Sequence, residues 1–376
     1  MTRSSLVFLA LLFAIVPARA EEWEPAKTHA VLVGVLEWQN GLGGFSKTHR
    51  KDQELRDLLV KRGVLAENIT LLLDKDATLP KIREAIAKTL KRTNSDSTLI
   101  VYYAGHGMPG AGGDFYFANY EIKNPKTTGW SLKELGSTLA ADFHGRRVFL
   151  WADCCFSGGL EVVVDELAKK KIGAFNLTSA STANTSTSNW TFTQSIIDGL
   201  RGEPLIDANG DGKITLSELN VEVREAMKHM EGQKHGFKSS DIPDDFVMAK
   251  ASGPRPVSIN AKLNPGSYVE TPAGGTDHFG RVVGADGDKV RVQFYDYCDK
   301  RIVNYPAKDL KVSTREPGQG RLVVDGGVKP DCQVEWQGQW YDAKVMKKEK
   351  DRWYIHYVGY DNSWDEWVAK DRIKFK

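Results

Sequence analysis

Between residues 28 and 178 short apolar runs alternate with amphipathic stretches, a pattern that predicts βαβ units building a mainly parallel sheet. Val31–Leu36, Ile69–Leu73, Thr98–Ala104, Val148–Ala152 and Ile172–Leu177 are apolar and rich in β-branched side chains, as strands covered on both faces are. Between them Leu55, Leu58 and Leu59, then Ile82, Ile86 and Leu90, then Leu132, Leu135 and Leu139 recur at helical spacing, and Ser131 with Glu134 makes a capping box for the third group. These positions predict the core faces of three helices rather than sites.

Beyond residue 250 the helical periodicity stops. Pro254, Pro256, Pro265 and Gly266 punctuate the chain, which predicts a linker over 251–261 leading into short alternating strands. Phe279-Gly-Arg-Val-Val283, Val292-Gln-Phe294 and Ala307-Lys-Asp309 recur as Tyr341-Asp-Ala-Lys-Val345, Ile355-His-Tyr357 and Ala369-Lys-Asp371, offset by 62 to 63 residues. The repeat predicts two small β-barrels in tandem, over 262–313 and 320–376. The expected fold class is therefore α/β over 28–250, followed by two small SH3-like or Tudor-like barrels.

The N-terminus adds a location. Arg3 precedes an unbroken apolar run from Leu6 to Val16, then Pro17, the triplet Ala18-Arg19-Ala20 and acidic Glu21-Glu22, which reads as a secretory signal peptide over 1–20. The run falls well short of the roughly 20 residues that span a bilayer, so the mature chain is expected to be secreted or periplasmic without a membrane span. Loss of Arg3 and Arg19 from 51 Lys+Arg leaves 49 against 49 Asp+Glu, and nothing in that balance asks for nucleic acid. The four cysteines are too few for a disulfide framework; Cys298 and Cys332 have the option of pairing, whereas bridging the adjacent Cys154 and Cys155 strains disulfide geometry.

The third strand runs into Gly105-His106-Gly107, and the fourth into Asp153-Cys154-Cys155-Phe156-Ser157-Gly158. Carboxyl ends of parallel strands are where α/β sheets carry function. If these strands are neighbours, His106 and Cys155 meet at one edge as a thiol nucleophile and the imidazole that takes its proton. The competing reading is a loop histidine and a buried thiol.

With His106 49 residues upstream of Cys155, the segments Tyr103-Ala-Gly-His-Gly107 and Asp153-Cys-Cys-Phe-Ser-Gly158 resemble the caspase and metacaspase superfamily. That resemblance covers 28–250 and implies a caspase-like cysteine endopeptidase acting on proteins or peptides. It assigns the nucleophile to Cys155, leaves Cys154 structural, and makes the N–H groups of Gly107 and Cys155 an oxyanion hole. Phe156 departs from the histidine usual after the nucleophile, and Ala104 from the serine usual before the Gly-His-Gly turn. By the same resemblance Asp153 forms the floor of the S1 pocket and Asp52 contributes a second acid; carboxylates there select Arg or Lys. No arginine lies beside either motif in sequence, as cleavage after Asp would require. Asp52 also reads simply as a charge at a helix N-terminus. Lys169-Lys170-Lys171 reads either as a self-cleavage site or as a solvated helix end.

Residues 207–218 match the calcium-loop pattern D-x-[DN]-x-[DN]-G-x(5)-E, with side-chain oxygens from Asp207, Asn209, Asp211 and Glu218, the Lys213 carbonyl, a water-mediated contact at Thr215 and the turn-forming Gly212. Ser195–Leu200 and Leu216–Met230 read as its flanking helices. Calcium is the expected cofactor, either as a structural clamp or as an ion that orders the loop over 179–190. The tail, with Trp353-Tyr-Ile-His-Tyr-Val-Gly-Tyr360 and Ser363-Trp-Asp-Glu-Trp-Val368, resembles a Tudor-knot or chromo-barrel domain, which implies an aromatic cage of Tyr341, Tyr357, Tyr360 and Trp364 or else a filled barrel core. A peptide or envelope component is its expected partner. The competing functions are a catalytically inactive caspase-like scaffold that binds peptide or envelope, and a peptide ligase using the same acyl-enzyme.

Overall fold

The computed structural model describes residues 21–110, 113–123, 128–184, 186, 189–256, 263–272, 279–295, 300–317, 330–336, 339–357 and 366–376. The leader 1–20, Cys298, Tyr360 and Trp364 lie outside the described residues.

Six strands form one sheet: β1 (Thr28–Gly34), β2 (Ile69–Leu73), β3 (Thr98–Ala104), β4 (Arg147–Asp153), β5 (Gly173–Thr178) and β6 (Gly236–Ser240), in the order β6-β5-β4-β3-β1-β2. All pairings are parallel except β6 with β5. Alternate side chains feed two cores. Val31, Val33, Val101, Tyr103, Val148 and Leu150 face one cluster, with α2 (Leu79–Leu90), α3 (Leu132–Asp142) and α4 (Glu161–Ala168). Ala30, Leu32, Ile100, Tyr102, Phe149 and Trp151 face the other, with α1 (Lys51–Lys61), α5 (Thr191–Arg201) and α6 (Leu216–Ala226). Each large side chain so buried contributes about 1.5–3 kcal/mol relative to exposure, which makes the sheet the rigid part of the molecule.

The apolar pattern located the five parallel strands within a few residues, with instructive exceptions. β1 stops at Gly34 instead of running to Leu36: Val35 N–H still reaches the Ala104 carbonyl, but Leu36 N–H turns to the Asp74 carboxylate at 2.8 Å. The sixth strand has the sequence Gly-Phe-Lys-Ser-Ser, and an edge position asks little apolar character of it. The helix expected over 216–230 ends at Ala226 and continues as a π-turn, Met227–Glu231. Lys169–Lys171 close α4 as hydrogen-bonded turns, with Lys169 paired to Glu166, so the solvated-end reading fits this segment.

The C-terminal units are antiparallel. Strands β7 (Tyr268–Glu270), β8 (Phe279–Asp286), β9 (Lys289–Tyr295), β10 (Lys300–Pro306) and β11 (Lys311–Val312) pair in the order β10-β9-β8-β7-β11. Strands β12 (Cys332–Trp336), β13 (Gln339–Glu349), β14 (Arg352–Tyr357), β15 (Glu366–Ala369) and β16 (Ile373–Phe375) pair as β15-β14-β13-β12-β16, the same topology one repeat later. Even the register break recurs, between Val282 and Gly284 and between Val345 and Lys347. Cys332 is a free thiol in the core of the second unit, donating to the Ala343 carbonyl. The first barrel packs on α6 and the π-turn, joined by an Arg281–Glu222 ion pair. Among the described residues no helix is long and apolar enough to cross a membrane.

Candidate active site

β3 and β4 are neighbours, in a register that pairs Ala104 with Asp153. His106 and Cys155 each lie two residues further on, at the carboxyl edge of the sheet. The two loops then touch: a Cβ at Gly107 would overlap the Cys155 carbonyl oxygen, so only glycine lets the histidine loop lie against the cysteine loop. Residues Gly107–Pro109 pair antiparallel with Phe115–Phe117, and Ala118 N–H donates to the His106 carbonyl at 2.9 Å, which makes residues 106 and 118 a hydrogen-bonded pair of that ladder. Gly107, opposite Phe117 in the next pair, therefore turns its N–H away from that strand.

The imidazole is held on three sides. Its ring lies 4.6 Å from both Trp38 and Phe45, and Nε2 stands 2.8 Å from the Gly43 carbonyl. A carbonyl only accepts, so Nε2 carries the hydrogen and Nδ1 is left as the basic nitrogen. Beneath, the buried Tyr103 hydroxyl donates to the carbonyls of His106 and Ala118 at 2.9 Å, tying the turn to the core. Trp38, Gly43 and Phe45 come from the loop between β1 and α1, and sequence reasoning passed over them. The run Gly41-Leu-Gly-Gly44 was their only signal.

The two cysteines divide. Cys154 is 2% exposed within the core, and burial pushes its thiol well above the ordinary range. Cys155 is half-buried, and its Sγ accepts the Ser186 N–H at 3.2 Å, a contact that favours thiolate. Phe156 follows in the left-handed region at φ 53°, a conformation that costs an aromatic residue about 1–3 kcal/mol and persists because its N–H is held by the Asn184 carbonyl.

Asp153 ends β4 with its Oδ2 accepting from Thr193 Oγ1 at 2.6 Å and Thr193 N–H at 3.3 Å, near the N-terminus of α5. Burial outweighs these neutral donors and raises its carboxyl to about 7. Asp52 is placed differently. Its carboxylate is fully buried and forked by Arg50, with Nε–Oδ1 at 3.0 Å and Nη2–Oδ2 at 2.7 Å, while Arg50 Nη1 reaches Asp74 at 2.6 Å. An arginine thus does stand at this edge in space, brought there by the β1–α1 loop. Its donors are spent on Asp52, Asp74 and the Gly34 carbonyl, and Asp52 in turn has its charge spent on Arg50.

A family model described as the caspase domain matches residues 28–271, well over half of the chain. The chain belongs to the caspase domain family. A second model, described as the RNA binding activity-knot of a chromodomain, matches residues 327–375, so this caspase-domain protein ends in a Tudor-knot domain. A crystal structure of a protein from Geobacter sulfurreducens aligns at TM-score 0.43 and 15% identity, over 58% of this chain and 95% of that one. The structure of pro-sf-caspase-1 aligns at 0.41 and 12%, over 66% and 99%. The Drosophila initiator caspase Dronc aligns at 0.40 and 8%, over 62% and 87%. No curated protein matches the chain.

In this caspase chain the loop at 207–218 is closed on itself. Asp207, 2% exposed, accepts the N–H groups of Gly210, Asp211 and Gly212; Asn209 accepts from Asp211, and Asp211 from Lys213. Glu218 accepts from Ala208 N–H at 2.8 Å and caps α6 with Thr215. Among the described residues no three acidic, histidine or cysteine side chains converge closely enough to hold a metal. The donors are all oxygen, the kind calcium takes.

Of the cage residues, Tyr357 is 4% exposed in the core of the second barrel, its hydroxyl donating to Glu366 at 2.8 Å, and Tyr341 meets it edge-on with ring centroids 6.1 Å apart. Tyr357 thus fills the barrel rather than lining an open cage.

Proposed function

We propose that the chain is an exported cysteine endopeptidase that cleaves proteins or peptides after arginine or lysine. The observation that carries this reading is the shared register of β3 and β4, which sets His106 and Cys155 at equal heights beyond Ala104 and Asp153. Of the adjacent cysteines, only Cys155 is half-open to the crevice and receives an amide donor on sulfur. His106 Nδ1 takes the thiol proton, and the thiolate attacks the scissile carbonyl carbon. The resulting oxyanion faces the N–H groups of Gly107 and Cys155. Collapse breaks the C–N bond, the leaving amine takes the proton from the imidazolium, and a thioester remains on Cys155. Water, deprotonated by His106, attacks that thioester and releases the new carboxylate, with the proton returning to sulfur.

Asp153 supplies the basic preference: its partners are neutral and its carboxylate gains most from an incoming guanidinium or ammonium. Asp52 is left out of this role because Arg50 already neutralises it. Export rests on the leader, and the contacts of Glu21 support a cut after Ala20. Its carboxylate pairs with Arg146 and Arg147 and its carbonyl accepts from Val247, so the first mature residue is already seated. Asp207, Asn209, Asp211, the Lys213 carbonyl and Glu218 would hold calcium, which supplies charge that binds the two ends of the loop together. Between 327 and 375 nine lysine and arginine side chains meet nine aspartate and glutamate side chains, and this balance favours a peptide or envelope component over nucleic acid as the Tudor-knot's partner.

Mature protein and Cys155→Ala are to be assayed on Arg-, Lys- and Asp-ending fluorogenic peptides, with and without calcium and with an added amine nucleophile. Expected are turnover after Arg and Lys and a loss of at least about 10³-fold in the variant. Equal activity in the variant removes the nucleophile, turnover after Asp alone overturns the pocket, absence of all turnover favours an inactive scaffold, and amide product with the amine identifies a ligase.

A further inference from the structure

The first barrel was expected to hang from a linker, but it is seated on the caspase domain by a dense polar interface. Arg281 of β8 pairs with Glu222 of α6 at 2.7 Å, the two side chains being 5% and 4% exposed. Tyr268 of β7 stacks on His229 with ring centroids 5.0 Å apart, and Ser313 Oγ lies 2.9 Å from His229 Nδ1. Arg315, just past β11, donates to the His229 and Met230 carbonyls at 3.0 and 3.1 Å, its guanidinium 4.5 Å from the Phe279 ring. A Cβ at Gly232 would collide with that guanidinium, so the turn and the arginine are fitted to each other. Every one of these contacts on the caspase side falls on α6 or on the π-turn and its end, residues 222–232.

That turn has a second customer. The Glu231 carboxylate accepts from the Asn189 amide at 3.0 Å and from the Thr191 hydroxyl, gripping the chain where α5 begins. Two residues into that helix Thr193 makes the two hydrogen bonds that hold Asp153. The path from Arg315 through the turn to Glu231, to the start of α5 and to Asp153 runs through hydrogen bonds and one rigid helix end.

We propose that the first barrel is a built-in brace of the specificity pocket, with Glu231 the positioning residue that transmits its grip to the segment 189–193. This rests on the reading of Asp153 as the basic-residue determinant. It makes the barrel a regulator: whatever loosens it from the turn loosens the pocket, leaving the Cys155–His106 pair as it was. Buried cross-interface ion pairs suit this use, since removing one partner leaves a costly unpaired charge.

Arg315→Ala is the primary variant, Glu231→Gln the second, and Arg315→Lys the conservative rescue. Amide hydrogen exchange of the full chain reads the brace without reference to turnover. In Arg315→Ala and in Glu231→Gln, exchange over 189–193 is expected to quicken about tenfold or more, with β1 and β3 unchanged. For Arg-ending peptides KM is expected to rise about tenfold with kcat within about twofold, while alkylation of Cys155 by iodoacetamide keeps its rate. Arg315→Lys recovers part of both effects. Unchanged exchange at 189–193 in both variants overturns the brace, as does a fall in kcat and alkylation rate without a change in KM. If no basic peptide is cleaved by the parent protein, the specificity reading fails separately and the exchange arm still decides the brace.

Discussion

Two aspartates come to rest at the same edge of the sheet, both within the electrostatic reach of the buried Tyr102 hydroxyl, and they have opposite fates. Asp52 is fully buried and forked by Arg50, which also holds Asp74. Asp153 is half-buried with neutral partners only, and its carboxyl rises to about 7. A buried charge that is paired belongs to the architecture, whereas a buried charge left uncompensated and open to a crevice is set to receive a cation. The residue type is the same in both corners; what differs is whether the chain itself supplies a guanidinium, as Arg50 does for Asp52, or only neutral donors, as Thr193 does for Asp153.

The largest expected effect breaks the paired corner. Asp52→Ala leaves Arg50 buried beside Asp74 with two of its donors unmatched, and removing one partner of a buried pair costs about 3–5 kcal/mol. Urea denaturation followed by far-ultraviolet circular dichroism is expected to shift to lower midpoint by that amount, while the folded fraction keeps its preference for basic peptides. A stable Asp52→Ala protein that loses this preference would give Asp52 the pocket role that Arg50 denies it here.

Next in size is the open corner. Asp153→Asn keeps the Thr193 hydrogen bonds within reach but removes the charge. Loss of one member of a desolvated ion pair with substrate costs about 2–5 kcal/mol, or about 30- to 4,000-fold in kcat/KM for Arg- and Lys-ending peptides. Alkylation of Cys155, which does not need the pocket, is expected to stay within a few-fold of the parent rate. Equal losses in both measurements would mean that Asp153 supports the nucleophile loop rather than the pocket.

How much of this was legible depends on whether a residue's neighbours are near it in sequence. The strands were, because runs such as Thr98–Ala104 and Val148–Ala152 are apolar on both faces and only a covered parallel strand tolerates that. The strand-end motifs at Gly105–Gly107 and Asp153–Gly158 were legible for the same reason, and the register of β3 and β4 sets them side by side. Arg50 escaped notice because its partners Asp52 and Asp74 are brought together by a loop that returns to the sheet edge. Trp38 and Phe45 carry no local sign that they will flank an imidazole. Arg281, Tyr268 and Ser313 look like ordinary barrel residues until α6 and the π-turn are folded against them. Asp52 stayed open between a pocket acid and a helix-start charge because a carboxylate in the first turn of a helix reads the same whether or not an arginine covers it.

The smallest effect sharpens the comparison through pH. With its carboxyl at about 7 in the folded chain against an ordinary 3.8, Asp153 binds its proton more tightly when folded. Below about pH 4 both states are protonated and the stabilising contribution is fully present; between about pH 4 and 7 the unfolded chain ionises first, so that contribution is lost as pH rises. At 1.36 kcal/mol for each unit the ceiling is about 4 kcal/mol, and the water that reaches the half-buried carboxylate reduces it to about 1–2 kcal/mol. Asp153→Asn lacks the titration and is expected to be more stable than the parent at pH 8 by about that amount, with the two converging at pH 4. Unfolding midpoints measured at pH 4, 6 and 8 decide it: parallel curves for the parent and Asp153→Asn would mean that Asp153 is compensated in solution, and the contrast between the two corners would vanish.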